Sequence, residues 1–194
     1  MAVVTGASRG IGATIALTLA AKGIDVAIVF TSESSTAQAE AVSKQISDLG
    51  QRALLIRTDL TGYNCGNDVR DKVLRGFSTD KIDFLVNNAG ITGAQDSLSI
   101  QLEQYERMMN INLRAPMLLV KALVPHMNRG GRIISMSSVL AREPYPGMDA
   151  YVASKVALEG LTRQWAVNLA RSYGITANAI ICGAVQTEMI KGTG

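Results

Sequence analysis

Tyr151 and Lys155 are the residues whose types and spacing most directly suggest chemistry. They are four positions apart, so on a helix they would share one face. A free phenol has a pKa of about 10, but a neighbouring ammonium favours the phenolate and would lower that pKa. The pair therefore predicts proton transfer to or from a carbonyl or an alcohol. The alternative interpretation is an ordinary exposed pair on an amphipathic helix.

A glycine-rich turn, TGASRGIG, occupies residues 5–12 between an apolar run and a helical pattern. Gly6 permits a sharp turn, Gly10 removes a side chain where a pyrophosphate would approach, and Gly12 lets the helix pack closely. Free N–H groups at the start of the helix would face the anion. The three-residue gap after Gly6 departs from the GxGxxG spacing, so the turn favours a dinucleotide site without establishing it. A purely structural turn is the alternative.

Short β-branched runs alternate with helical patterns along the whole chain, which is typical of a parallel sheet covered on both faces. The predicted strands are residues 2–5, 25–30, 53–57, 82–87, 132–136 and 176–181. The predicted helices are residues 11–22, 35–49, 67–77, 102–127 and 149–173, the fourth being interrupted or bent by Pro116 and Pro125. This rhythm predicts a single doubly wound α/β domain with strand order 3-2-1-4-5-6 and ligands at the carboxyl ends of the strands.

Composition excludes several classes of protein. Of the 194 residues, 47% are hydrophobic and 18% charged, which suits one domain with a sizeable core and excludes a disordered chain. The net charge of +3 comes from scattered Lys and Arg, so no nucleic-acid partner is predicted. Cys65 and Cys182 form no ligand cluster, which predicts no metal site and a reducing, cytoplasmic environment. No run is long and apolar enough to predict a membrane association.

Three motifs together resemble the short-chain dehydrogenase/reductase family. They are TGASRGIG at residues 5–12, NNAG at residues 87–90 and YVASK at residues 151–155. The resemblance runs in order from residue 1 to about residue 187, and within the family it is closest to the 3-oxoacyl-carrier-protein reductases and similar ketoreductases. It implies a Rossmann-like fold, NAD(P) binding, and homodimers or homotetramers packed through two long helices.

The resemblance also implies a catalytic set. Tyr151 would exchange the substrate proton, and Lys155 would hold the nicotinamide ribose. Ser138 matches the serine that binds the substrate oxygen, although Ser135 and Ser137 are close neighbours in the sequence. A hydroxyl at that place would stabilise charge that develops on the oxygen.

Asn112 matches the family asparagine that anchors a proton-relay water, with Asn110 as the competing candidate and a helix-kink asparagine as the structural alternative. Asp59 matches an acid that contacts adenine, although it could be an ordinary loop aspartate. The predicted cofactor-binding residues are Gly6, Ser8, Arg9, Gly10, Ile11, Gly12, Thr31, Ser32, Asp59, Leu60, Asn88, Ala89, Gly90, Tyr151, Lys155, Gly183, Val185 and Thr187.

The end of the second predicted strand favours NADP(H) over NAD(H). An NAD enzyme usually carries an acid there to bind the ribose 2′-hydroxyl, but this chain has Phe30 followed by Thr31 and Ser32. Arg9 places a guanidinium where a 2′-phosphate could be bound. Glu33 is close enough to leave NAD(H) as the alternative.

Two features depart from the family pattern. Cys182 stands before Gly183 where the family has proline. Family members also continue after the position of Thr187 with a lid and a seventh strand, whereas this sequence stops at Gly194. We therefore expect residues 1–194 to form a dinucleotide-binding domain that is incomplete at its carboxyl end relative to the family. Without a lid, the nicotinamide end would be open to water.

The sequence thus predicts an NADP(H)-dependent oxidoreductase that reduces a ketone, or a 3-oxoacyl thioester, to a secondary alcohol. A catalytically weak NAD(P)-binding scaffold or regulator with the same fold is the alternative. A third interpretation is an interaction protein that retains only the fold.

Overall fold

The computed structural model describes residues 1–94, 96–143 and 145–185. In these ranges six strands form one parallel sheet, with helices on both of its faces. The strands are β1 (Ala2–Thr5), β2 (Val26–Phe30), β3 (Ala53–Arg57), β4 (Ile82–Asn87), β5 (Met127–Ser138) and β6 (Thr176–Cys182). The helices are α1 (Gly10–Ala20), α2 (Thr36–Asp48), α3 (Cys65–Phe77), α4 (Leu102–Met109), α5 (Ala115–Leu123) and α6 (Asp149–Tyr173).

The strand order is β3-β2-β1-β4-β5-β6, and every neighbouring pair is parallel. In the middle of the sheet, Val3 pairs with Ala27 of β2 and with Leu85 of β4. The predicted doubly wound α/β fold and its strand order are therefore confirmed. The change of direction between β1 and β4 places the crevice for ligands beyond the carboxyl ends of these two strands.

The sheet separates two apolar layers because successive side chains of a strand point to opposite faces. Val3 belongs to the layer beneath α3, α5 and α6, while Ala2 and Val4 belong to the layer beneath α1 and α2. All residues of β1 and β2 are buried. Burial on both faces explains why these strands are almost continuously apolar in the sequence.

β5 is longer than predicted. The sequence predicted residues 132–136, but the strand runs from Met127 to Ser138. Gly130 has a φ of 87°, and the pairing with β4 is irregular near its start, so the glycines interrupt the sequence pattern without ending the strand. At the other end, Ser138 pairs with Cys182 of β6. The extension brings Ser138 to the carboxyl edge of the sheet.

The predicted long helix over residues 102–127 is divided, as the two prolines indicated. A π-helical turn, Asn110–Arg114, joins α4 to α5, and a 3₁₀ turn, Val124–His126, follows α5. Pro116 lies in the first turn of α5 and has no N–H to continue the regular pattern of helical hydrogen bonds. The helix therefore accommodates an extra residue at the π-helical turn, which contains Asn112.

α6 has the predicted bounds and ends at Gly174, whose φ of 66° suits glycine. It packs against β5 and β6. None of the helices in the described part of the chain is long and apolar enough to cross a membrane.

A substitution that leaves a cavity at the centre of the sheet should make the folded protein less stable. Leu85 is 0% exposed, so Leu85→Ala is expected to lower the free energy of unfolding by about 2–5 kcal/mol, as measured by chemical denaturation. Leu49→Ala is the matched control, because that leucine is 48% exposed and its loss should change stability by less than about 0.5 kcal/mol. Equal losses for the two variants would contradict the described core.

Candidate active site

The structure brings the predicted cofactor residues to one edge of the sheet. Because all six strands are parallel, the segments that follow them meet at their carboxyl ends. Thr31 and Ser32 follow β2, Asp59 and Leu60 follow β3, Asn88, Ala89 and Gly90 follow β4, and Gly183 and Val185 follow β6. Thr187 lies outside the described residues.

The turn between β1 and α1 has the close backbone packing that its glycines predicted. Gly6 and Gly10 have φ values of 64° and 56°, in the left-handed region. A Cβ on Gly12 would lie 2.3 Å from the carbonyl oxygen of Gly6. No larger residue fits between the turn and the helix without moving the backbone. The first N–H groups of α1 remain available for an anion.

Thr5 and Asn88 join this turn to the segment after β4. The Thr5 hydroxyl oxygen accepts hydrogen bonds from the N–H groups of Asn88 and Ala89, each at 3.0 Å. The Asn88 amide nitrogen donates to the carbonyl oxygens of Thr5 at 2.8 Å and Gly6 at 3.3 Å. Its amide nitrogen therefore supports the turn. Sequence reasoning missed Thr5, which looked like an ordinary strand-end residue.

Asn87 carries unsatisfied polar atoms at this edge. It is 2% exposed, and among the described residues neither its side-chain oxygen nor its side-chain nitrogen has a hydrogen-bond partner. A buried amide without partners is costly unless another molecule binds it. Asn87 directly precedes Asn88, which is hydrogen-bonded to the glycine turn, and this place in the chain fits a site that a polar ligand completes.

Asn112, and not the competing Asn110, joins the segment after β4 to α6. Its side-chain oxygen accepts from the N–H of Ile91 at 2.9 Å, and its nitrogen donates to the Ile91 carbonyl at 2.9 Å and to the Ser154 hydroxyl at 3.1 Å. Ser154 in turn donates to the carbonyl of Tyr151 at 2.7 Å. Sequence reasoning gave Ser154 no role. The π-helical turn is thus fixed to the helix that carries Tyr151.

Ser138, Tyr151 and Lys155 meet where β5 ends against α6. The Tyr151 phenol has a hydrogen-bonding interaction with the Ser138 side chain. The Lys155 ammonium lies 5.6 Å from the centre of the Tyr151 ring and donates a hydrogen bond to the carbonyl oxygen of Met136 at 2.8 Å. A Cβ on Gly90 would lie 3.4 Å from the Lys155 nitrogen. The segment after β4 therefore borders this cluster.

The acid–base properties of the cluster differ from the expectation. Burial raises the pKa of Tyr151 above its ordinary value, and the interaction with the Ser138 side chain opposes this rise only in part. The net shift is therefore upward, opposite in direction to the lowering expected from a neighbouring ammonium, and burial is its largest cause. Burial also lowers the pKa of Lys155 to about 8. Both groups are thus shifted toward their neutral forms.

At the carboxyl edge of the sheet, the residues that follow β2 and the neighbouring Arg9 of the glycine turn form a polar and partly basic region. Arg9 donates to the Ser35 hydroxyl at 3.0 Å and to the Gln38 side-chain oxygen at 3.3 Å, and the hydroxyl oxygens of Ser32 and Ser35 are 2.8 Å apart. Glu33, the carboxylate that left NAD(H) open, pairs with Arg57.

Asp59 and Cys182 also lie at this edge of the sheet. The Asp59 carboxylate accepts hydrogen bonds from the N–H and the hydroxyl of Thr61, each at 2.9 Å, so it shapes its own loop. Cys182 pairs with Ser138 on the neighbouring strand, so it lies close to the cluster of Ser138, Tyr151 and Lys155.

Comparison with known proteins identifies the family. The short chain dehydrogenase family matches residues 1–194. This chain belongs to the short-chain dehydrogenase/reductase family. It is 39% identical over 191 residues to the short-chain dehydrogenase/reductase FrzI of Cladobotryum sp, covering 97% of this chain and 72% of that protein. It is 37% identical over 189 residues to a hydroxynaphthalene reductase of Aspergillus fumigatus, covering 97% and 67%.

A solved relative shows the same fold with a cofactor. A short chain dehydrogenase from Burkholderia cenocepacia in complex with NADP is 42% identical, with a TM-score of 0.90, and the match covers 97% of this chain and 75% of that one. Together with the family match, this makes the protein an NAD(P)-dependent oxidoreductase. The close-packed glycine turn and the unsatisfied amide of Asn87 fit such a cofactor.

The lowered pKa of Lys155 makes stability depend on pH. Between pH 8 and 10.5 the folded protein has released this proton while the unfolded chain still binds it. Compared with Lys155→Met, the free energy of unfolding of the wild-type protein should therefore rise with pH in this window, by at most about 1.4 kcal/mol per pH unit. Chemical denaturation of the cofactor-free proteins at several pH values measures the difference. A constant difference would show that the amine titrates at its ordinary pKa.

Proposed function

We propose that the protein reduces a ketone to a secondary alcohol with NADPH. The observation that carries this proposal is the phenol of the half-buried Tyr151, which lies beside Ser138 where β5 ends against α6. A phenol that keeps its proton at neutral pH is suited to act as a general acid toward a carbonyl oxygen.

The hydrogen bonds of Ser138 give it a matching role. Its hydroxyl oxygen accepts from the N–H of Leu140 at 3.2 Å, so its own proton stays available for a second partner. A carbonyl oxygen beside Ser138 and Tyr151 would accept from both hydroxyl groups, which stabilises negative charge on that oxygen. Tyr151 then gives its proton to this oxygen, and water returns a proton to the phenolate.

Lys155 and Asn112 hold this arrangement in place. Lys155 anchors α6 on β5 through Met136, and Asn112 anchors α6 on the segment after β4. We propose that Lys155 also binds the nicotinamide ribose and that Asn112 supports a proton relay. A reduced nicotinamide, when bound, supplies the hydride. The glycine turn, the NNAG segment, Gly183, Val185 and Thr187 would hold the dinucleotide.

The substrate proposed here is a ketone of small or medium size. The similarity to a hydroxynaphthalene reductase favours cyclic ketones among the candidates. A 3-oxoacyl thioester on a carrier protein remains part of the proposal. We propose Arg129 of β5 as a basic residue that would meet such a carrier protein. It packs against Gly174, where a Cβ would lie 3.2 Å from its guanidinium.

Tyr151→Phe tests the proposed acid. Removing the hydroxyl should lower kcat for ketone reduction by about 10²–10⁴-fold, while NADPH binding, followed by its fluorescence, changes little. The assay is the loss of absorbance of NADPH with a panel of β-keto esters, ketoses and bicyclic aromatic ketones. Tyr173→Phe is the matched control on the exposed end of the same helix. NADPH binding without turnover by the wild-type protein would support the scaffold interpretation instead.

We further propose that the cofactor is NADP(H) in preference to NAD(H). Arg9, Ser32 and Ser35 supply hydrogen-bond donors for a 2′-phosphate. The Glu33 carboxylate pairs with Arg57, so its negative charge is offset. A guanidinium suits a phosphate because it offers several donors in one plane.

Arg9→Ala should weaken NADPH binding by about tenfold or more, the effect of losing one charged hydrogen bond. NADH binding should change little, because NADH has no 2′-phosphate. Titration of cofactor fluorescence measures both dissociation constants. Lys44→Ala removes one positive charge from the exposed surface of α2 and serves as the control. Equal weakening of both cofactors would contradict a contact between Arg9 and the 2′-phosphate.

We also propose that the chain acts as one dinucleotide-binding domain and pairs with a second copy through α5 and α6. The support is the large exposed apolar side chains that these helices carry, namely Met117, Val156 and Val167.

A further inference from the structure

Glu159 is a buried carboxylate that the proposed reaction does not use. It lies on α6 one turn beyond Lys155, and its side chain is 9% exposed. Tyr151, Lys155 and Glu159 are spaced four residues apart, so they occupy one face of the helix. That face packs against β5.

The two oxygens of Glu159 have different partners. The Ser137 hydroxyl donates to Oε1 at 2.7 Å inside the protein. Arg142 donates to Oε2 at 3.2 Å, and a nitrogen of Arg163 lies 3.9 Å from the same oxygen. Ser137 precedes Ser138 directly, and Arg142 follows it by four residues. One carboxylate therefore holds the chain on both sides of Ser138.

Burying a carboxylate at position 159 costs free energy on folding that burying a leucine of similar size would not cost. Removing a charge from water is unfavourable, and hydrogen bonds with nearby cations offset the cost only when the geometry is good. Here one oxygen reaches a buried hydroxyl at the strand end and the other reaches a cation in the segment that follows. These hydrogen bonds fix the position of this segment against α6. Apolar packing is less directional, so by itself it would not fix the segment in the same way.

We propose that Glu159 is a positioning residue, which holds Ser138 at the place where it can share a substrate oxygen with Tyr151. This inference rests on the proposed function. Glu159 touches neither Tyr151 nor Ser138 in the contacts described, so it acts through Ser137 and Arg142. If this is correct, its whole effect on the chemical step depends on the presence of the Ser138 hydroxyl.

A double-mutant cycle with Ser138 tests this dependence. Glu159→Leu should lower kcat by about tenfold, with the dissociation constant of NADPH changed by less than about twofold. In a Ser138→Ala background, the same substitution should lower the remaining kcat by less than about twofold. Glu159→Gln should retain most of the activity, because its amide oxygen still accepts from Ser137. Should Glu159→Leu fail to fold, Ser137→Ala takes its place in the cycle.

Thr162→Val provides a matched structural control. Thr162 lies on the same face of α6 and donates to the Ser135 hydroxyl at 2.9 Å, so it links the same helix and strand farther from Ser138. Its loss should lower the melting temperature and leave kcat nearly unchanged. Equal losses of kcat from Glu159→Leu with and without Ser138, or an equal loss from Thr162→Val, would overturn the inference while the proposed function stands. A wild-type protein that binds NADPH and reduces no ketone would overturn both.

Discussion

The packing of α6 on β5 is the interaction on which the candidate site depends. The Lys155 ammonium is buried and donates to the Met136 carbonyl, which fixes the helix along the strand. The next turn of the same helix binds Ser137 through Glu159. These contacts set the axial position of α6 against β5, because a hydrogen bond has a narrow range of distance and direction. Tyr151 consequently meets Ser138 at the carboxyl end of the strand.

Burial shapes the chemistry of this cluster. It raises the pKa of Tyr151 and lowers that of Lys155, so both groups are shifted toward their uncharged forms. The Tyr151 phenol carries its proton at neutral pH, which a general acid must do, while the upward shift makes it a weaker acid in the cofactor-free protein. The Ser138 hydrogen bond acts in the opposite direction and stabilises the phenolate that remains after proton transfer.

The dinucleotide end of the site is built mainly from backbone. Gly12 approaches the Gly6 carbonyl too closely for any side chain, and Thr5 and Asn88 tie the turn to the segment after β4. The unsatisfied amide of Asn87 belongs to the residue that precedes Asn88 at the end of β4. Pre-arranged N–H groups of this kind bind an anion with little rearrangement, which suits a pyrophosphate. The family match and the solved relative in complex with NADP agree with this arrangement.

The sequence by itself determined the strand order, the bounds of α6 and the residues that gather at the carboxyl edge. These follow from local patterns: apolar runs, glycines with special backbone angles, and a tyrosine and lysine one helical turn apart. It misjudged the length of β5, because Gly130 breaks the local pattern while pairing with β4 and β6 continues the strand. It also gave Thr5, Ser154 and Glu159 no role, since their partners are distant in the chain. Only the tertiary structure decided the direction of the Tyr151 pKa shift, because burial depends on everything that packs around the phenol and no spacing of residues encodes it.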